Sequence, residues 1–509
     1  MKNNIDCLFV HSDSSTNAYQ ALSNKFSGIE PPTWSLLLAE SCRSKGFNVS
    51  ILDCCAEKLS QEESVKRISN IKPKLTLFVV YGQNPNAGTT SMIGATGLAK
   101  MLYESEIDTH ISFVGSHISA LPKQVLELDY VDSILLNEGV YALWNLLKSN
   151  LNYEDLKKIK GIGWKDKDNN KFINPPEKIV PQERMDIDLP GYAWDLLPSH
   201  SRPLDLYRSH VWHANFNESL RTPYAAIYTS LGCVYGCEFC MINIVNRTDN
   251  SESVSSGDSR IMRFWSVKWV LKQFKILREL GVKTIRISDE MFLLNHNYYV
   301  PICEGLKNAD YGLHMWAYSR VDSAREKLLN LVRESGIKWL ALGIEAGSQM
   351  VRQEVSKGSF KEINIRKINS MINQHDINII ANYIVGFPED TYSSMTSTLN
   401  LALELNSEMM NVYPCQALPG SPLYIKAMRE GWELPKLYEE FAFLSYECKP
   451  LPTKTLSSAE VLEFRDYFWK TYFKNPAYLR KVESKFGITQ RKNVEEMANN
   501  NLKRKVLGS

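Results

Sequence analysis

The sequence predicts an α/β protein in three parts: an N-terminal doubly wound parallel sheet, a partial (β/α)6 barrel, and a helical C-terminal region. Three observations predict it. Apolar runs of strand length alternate with helical runs over residues 1–150, and the alternation resumes over 223–450. The strands are continuously apolar, the mark of parallel strands buried on both faces. Residues 451–509 keep the helical period without strands. The chain has 509 residues, which at ~150 residues each is about three domains.

In the first part, expected strands are Cys7–Val10, Val49–Leu52, Leu75–Tyr81, Ile111–Val114 and Val131–Leu136. Expected helices are Trp34–Lys45, Ser64–Ile71 and Ser91–Glu104. In such sheets ligands sit beyond the carboxyl ends of the strands. The loops to watch are therefore Ser12–Thr16, Tyr81–Gly88, Gly115–Ser119 and Asn137–Gly139. Residues 151–222 are broken by Pro175, Pro176, Pro181, Pro190, Pro198 and Pro203 and read as a linker with little regular structure. From 223, strands are expected at Ala225–Tyr228, Thr284–Ile287, His314–Tyr318, Trp339–Ile344, Ile379–Val385 and Met409–Val412. Barrel chemistry belongs at their C-terminal ends.

Lys plus Arg is 59 against 57 Asp plus Glu, a net charge of +2. That balance argues against a general nucleic-acid binder. From Lys474 on, nine Lys/Arg face three Glu, which reads as a solvated helical surface and frayed tail. Hydrophobic residues make up 44% and aromatic residues 11%, so the chain is globular. No signal-peptide pattern and no spanning apolar run is present. The expectation is a cytoplasmic protein without a membrane span. Ten cysteines are far too few for a disulfide scaffold and read as thiols or metal ligands.

The sharpest signal is Cys233-Val234-Tyr235-Gly236-Cys237-Glu238-Phe239-Cys240, a C-x3-C-x2-C loop behind the first barrel strand. Thiolates favour zinc or iron–sulfur clusters. A [4Fe–4S] cluster on three cysteines leaves one iron open. The alternative is a three-Cys-one-His zinc site completed by His210 or His213.

This loop resembles the hallmark of the radical S-adenosylmethionine (SAM) superfamily, with Phe239 as its aromatic residue. The segments Ser288–Phe292, Ala317–Arg320, Gly343–Ser348 and Ile384–Asp390 follow in the order and spacing of that family. The resemblance implies that Cys233, Cys237 and Cys240 ligate the cluster and that SAM chelates the open iron. It implies contacts to SAM from Phe239, Asp289, Arg320, Glu345 and Gly386. Asp289 and Glu345 also read as plain helix-capping carboxylates.

Upstream, Pro31–Trp34, Gly46–Val49, Leu52-Asp53, Val114–His117 and Leu136–Gly139 resemble cobalamin-binding domains fused to such barrels. So do Asp188–Pro198 and Leu418–Tyr424, and the likeness spans residues 1–450. The D-x-H-x-x-G signature is absent; His11 lies in the first loop without its Asp and Gly partners. The residues expected at cobalamin are Ser12, Tyr81, Gly82, Gln83, Gly115, Ser116, His117, Asn137, Glu138 and Gly139.

The resemblance implies a cobalamin-dependent radical SAM enzyme using a 4Fe–4S cluster, S-adenosylmethionine and cobalamin. A 5′-deoxyadenosyl radical would abstract a substrate hydrogen. A methyl group would then pass from methylcobalamin to an unactivated carbon or phosphorus. The expected partners are a small-molecule substrate and a flavodoxin- or ferredoxin-type electron donor. A cyclase or rearrangement enzyme without methyl transfer is the alternative. A methylthiotransferase would need a second cluster, for which Cys7, Cys42 and Cys54 or Cys55 are poor candidates. A non-catalytic cobalamin or metal sensor stands as the reading from another class.

Overall fold

The computed structural model describes residues 5–20, 22, 26–82, 85–149, 151–247, 255–355 and 364–508. Gln83, one of the expected cobalamin residues, lies outside them.

The first sheet holds β1 (Cys7–His11), β2 (Val49–Asp53), β3 (Leu75–Val80), β4 (His110–Gly115), β5 (Ser133–Leu135), β6 (Ile162–Lys165) and β7 (Lys171–Ile173). Their order is β2-β1-β3-β4-β5-β6-β7. The first five are parallel, in the doubly wound order with a switch point between β1 and β3. Period-two alternation splits β1 between two cores. Cys7 and Phe9 pack with Leu36–Leu38 of α1 (Thr33–Arg43) and Leu143 of α4 (Val140–Lys148). Leu8 and Val10 pack with Val65 and Ile68 of α2 (Gln61–Ile71) and Met92 and Leu98 of α3 (Gly88–Glu104). That is why the strand reads as continuously apolar.

β6 and β7 correct the expectation of an unstructured 151–222. They add antiparallel to β5 and extend the sheet. At four and three residues they are too short to show a period. Trp164 fixes them: it stacks on Phe172 at 4.7 Å, and its indole N–H donates to Asn174 at 2.9 Å. Beyond them the Pro-rich segment wraps the barrel. The Leu189 and Pro190 carbonyls accept from the indoles of Trp265 and Trp269, both at 2.9 Å.

The second sheet is the half-barrel. It comprises β8 (Tyr224–Ile227), β11 (Thr284–Ile287), β12 (His314–Arg320), β13 (Ile337–Glu345), β14 (Asn378–Val385) and β15 (Met409–Pro414). All six are parallel, in the order β15-β14-β13-β12-β11-β8. Between β8 and β11 lies an antiparallel pair, β9 (Ser230–Cys233) and β10 (Ile261–Phe264), not foreseen from sequence. One apolar core runs from the first sheet into the barrel.

A buried ion pair ties the first sheet to the β9–β10 pair. Arg263 meets Glu138 at 2.8 Å, with side chains 3% and 2% exposed. Arg263 also donates to the Val180 carbonyl, and the Asn137 amide donates to the Arg247 carbonyl at 2.8 Å.

The C-terminal helices α11 (Ser458–Phe473), α12 (Pro476–Phe486) and α13 (Ile488–Asn499) cover the β15 edge. Lys481 and Lys485 reach the buried Glu408 at 2.9 and 3.0 Å. Arg504 is buried against Asp466 and the carbonyls of Phe443 and Ser445. The basic stretch is thus partly structural, which corrects the reading of a frayed tail.

Removing one partner of a buried pair strands the other charge. Arg263→Met should cost about 3–5 kcal/mol, read as a lowered denaturant midpoint. Adding Glu138→Leu should restore most of it.

Candidate functional site

The cysteine loop leaves β9 at the C-terminal mouth of the half-barrel. Asn243 shapes it: the Cys233 N–H donates to Asn243 Oδ1 at 2.9 Å, and the Asn243 amide donates back to the Cys233 carbonyl at 2.8 Å. The Cys240 N–H donates to the Cys237 carbonyl at 3.1 Å, curling the loop. All three thiols are free and half-buried. Burial pushes Cys233 up to about 11 and Cys237 up to about 12, and it raises Cys240 as well. Without a bound cation they are protonated thiols. A cluster's positive charge would reverse that.

Among the described residues, no three His, Cys, Asp or Glu side chains converge to hold a single metal ion. A cubane cluster does not need that, because its three thiolates sit on three different irons. The zinc alternative fails on position. His213 packs against Tyr224 and His314, at the opening residues of β8 and β12, the opposite end of the barrel from the loop. His210 lines a chamber beside it.

Charged groups ring the loop. Arg320 stacks on Tyr235, 4.0 Å from its ring centre, and holds Asp322 through two 3.0 Å bonds. Glu345 ends β13 at a register shift, with φ at 64°, a strained conformation for a glutamate. Burial raises its carboxyl to about 7, while Arg320 pulls it down. Phe239 sits 5.7 Å from Phe387, the residue after Gly386. At Gly386 φ is +84°, and a Cβ there would collide with Val461 of α11.

The acidic segment after β11 divides differently from the sequence expectation. Asp289 accepts from the Thr229 N–H and hydroxyl and the Ser230 hydroxyl at 2.5–2.6 Å. It fixes the strand entering the cysteine loop rather than facing the mouth. Glu290 beside it has a buried oxygen without a partner, and burial raises its carboxyl to about 8. Its charge reaches Cys233. The sequence singles out Asp289 of this pair; of the two, Glu290 is the acid left with an unengaged buried oxygen.

Sequence reading also missed Asn86, from the loop after β3. Its amide lies 3.7 Å from Cys240 Sγ and accepts the Met241 N–H at 3.0 Å. The first sheet thus touches the cysteine loop directly.

The expected cobalamin residues split. Ser12, Tyr81 and Gly82 line one cavity of about 120 Å³ at the β1/β3 switch point, with Trp34 stacked on Tyr81 at 4.4 Å. Its hydroxyl-rich lining (Ser12, Ser14, Thr90) fits the tail of a cofactor rather than a whole macrocycle. His11 stands at this cavity with its Nδ1 3.0 Å from Asp53, whose other oxygen accepts from the Tyr207 hydroxyl at 2.8 Å. The remaining expected residues that are described lie outside the cavity lining. Glu138 is held by Arg263, and Asn137 by Arg247 and Ser119. Gly115 and Gly139 pack where a Cβ would strike Val80 and Val114, and Ser116 lies against Gly88. His117 is buried against Thr89 and Tyr438, and burial lowers it to about 4.

Residues 227–402 match the family model described as the Radical SAM superfamily. The "Uncharacterized methyltransferase PH0819" of Pyrococcus horikoshii is 25% identical over 77% of this chain and 78% of its own. The "Anaerobic magnesium-protoporphyrin IX monomethyl ester cyclase" of Rubrivivax gelatinosus is 24% identical over 93% of this chain and 78% of its own. Among solved structures, the radical SAM methyltransferase TsrM from Kitasatospora setae, with cobalamin and a [4Fe-4S] cluster bound, gives a TM-score of 0.65 at 12% identity, covering 96% of this chain and 99% of that one. The cobalamin-dependent SAM radical enzyme OxsB, with aqua-cobalamin and SAM bound, gives 0.66 at 14% identity, covering 97% and 72%. These likenesses show a shared fold.

Glu345 makes stability depend on pH. Its folded carboxyl titrates near 7, above the ordinary 4.5. The folded state therefore binds the proton more tightly, and stability from this group falls as pH rises through that window. Denaturant midpoints of the metal-free protein should show this decline, and Glu345→Gln should flatten it.

Proposed function

We propose that this protein, an enzyme whose barrel carries a radical SAM domain, is a cobalamin-dependent methyltransferase acting on an unactivated carbon or phosphorus of a small molecule. The observation that carries the reading is the C-x3-C-x2-C loop at the strand-end mouth, touched by Asn86 from a sheet with a switch-point cavity. Bound together, a [4Fe–4S] cluster, SAM and cobalamin supply a hydrogen-abstracting radical and a transferable methyl group.

The chain's own residues divide the remaining work. Cys233, Cys237 and Cys240 hold the cluster. Phe239 and the Gly386 turn provide an apolar wall and open backbone beside it. Arg320 and Glu345 offer charges for the polar groups of SAM, and the partnerless Glu290 suits its ammonium. Asp289 positions the loop entrance. Ser12, Tyr81 and Gly82 hold the cobalamin tail. Arg320 is largely buried, so its charge acts at lowered dielectric. The electron enters from a flavodoxin- or ferredoxin-type donor, and the setting is cytoplasmic. No described helix is long and apolar enough to cross a membrane.

The relative named a cyclase, matched over 93% of this chain, favours one second reading: cyclisation or rearrangement without methyl transfer. Product mass separates the two. A gain of one CH2 per turnover, labelled from methyl-deuterated SAM, is expected; its absence in every product sinks the methyltransferase reading. Anaerobically reconstituted protein should carry about four irons per chain. Cys240→Ala should lose most of that iron and all 5′-deoxyadenosine formation.

A further inference from the structure

A chamber of about 260 Å³ opens inside the half-barrel, between the strands, Tyr19, Leu22, Phe26, Ser27 and Glu30, and the C-terminal helices. Its walls include Tyr19, Phe26, Trp212, Trp316, Tyr413 and Trp469. Rings on several sides favour a flat guest, which gains offset stacking beyond simple burial. The volume lies just below the range for small-molecule pockets, roughly 300–1,000 Å³. That suits one or two fused rings and excludes a macrocycle.

The charges in the lining are unbalanced. Arg286, Arg465 and Lys470 face only Glu30 and Asp466. Both Glu30 oxygens are already engaged, one by Arg286 at 2.5 Å and the other by the Tyr224 hydroxyl at 3.0 Å. Asp466 is shared between Arg465 and Arg504. The Arg286 side chain is 1% exposed, and its Nε–H has no hydrogen-bond partner. Lys470, exposed on the rim, has no ion-pair partner among the described residues. A buried donor without an acceptor is costly, so a ligand acceptor at this point is favoured. Tyr318 and Tyr413 carry the chamber towards the strand ends, two residues short of Arg320 and one short of Pro414.

We infer that the chamber binds the substrate, and that this substrate is a small flat molecule of one or two fused rings bearing a carboxylate. The inference rests on the barrel being catalytic, as proposed above. Its test does not, because binding is measured without turnover.

Calorimetry on the full-length protein compares indole-3-acetate, tryptamine and cyclohexanecarboxylate. Indole-3-acetate should bind at least about tenfold tighter than either, one factor of ten reading ring flatness and one reading charge. Lys470→Glu, an exposed change, should weaken indole-3-acetate and narrow its lead over tryptamine. Trp469→Ala should weaken it by about tenfold at an unchanged circular dichroism spectrum. Protoporphyrin IX should not displace it. Equal or tighter binding of tryptamine, no binding of any probe at millimolar concentration, indifference to both substitutions, or displacement by protoporphyrin IX would each overturn the inference. Loss of 5′-deoxyadenosine formation alone, with this binding pattern intact, would instead count against the catalytic reading.

Discussion

Parallel strands buried on both faces leave a chain almost nowhere to place polar chemistry except at strand ends. Both sheets of this protein obey that constraint. β3 is buried along its whole length, and the half-barrel strands are close to it. The groups around the cysteine loop therefore lie at or just past strand ends: Cys233 at the end of β9, Glu290 beyond β11, Arg320 at the tip of β12, Glu345 at the tip of β13. Arg286, buried within β11, is tolerated there because Glu30 pairs with it. The first sheet sends its own strand-end loop to the same place through Asn86. The buried Arg263–Glu138 pair ties the first sheet to the β9–β10 pair that leads into the cysteine loop.

Within this arrangement, hydrogen-bond occupancy separates neighbours of the same chemical type. Asp289 and Glu290 are adjacent acids. One has three short partners and acts as a brace; the other has a buried oxygen facing none. The same contrast distinguishes Glu138, gripped by Arg263, from Glu345, which is strained at positive φ and holds its proton nearly to neutrality. Side chains fully engaged by the fold position things. Side chains left under-engaged and buried are the ones available to a ligand.

The sequence made legible what depends on short-range pattern. Cysteine spacing, continuous apolar strands and the glycine turns after them are local, and they located both sheets and the cysteine loop. What stayed hidden depends on distant pairing. β6 and β7 were too short to carry a period and exist because β5 offers an open edge. Asn86 lies in a loop that was singled out, yet only tertiary structure brings it to Cys240. Glycines and polar residues after β4 and β5 read as ligand loops; that they also pack closely between layers shows only in the fold. The chamber was invisible because its walls come from residues as distant as Tyr19 and Trp469.

That distant assembly has a consequence for the order in which the molecule is made. Synthesis runs from the N-terminus, at about 5–20 residues per second. The cysteine loop is complete at Cys240, but α11, α13 and the buried Arg504 that close the chamber come more than two hundred residues later. For tens of seconds after Cys240 is made, the three thiols precede the rest of the half-barrel and the helices that cover its β15 side. Chain order thus sets an order of assembly: the cysteine loop is made early, and the wall that seals the barrel is made last.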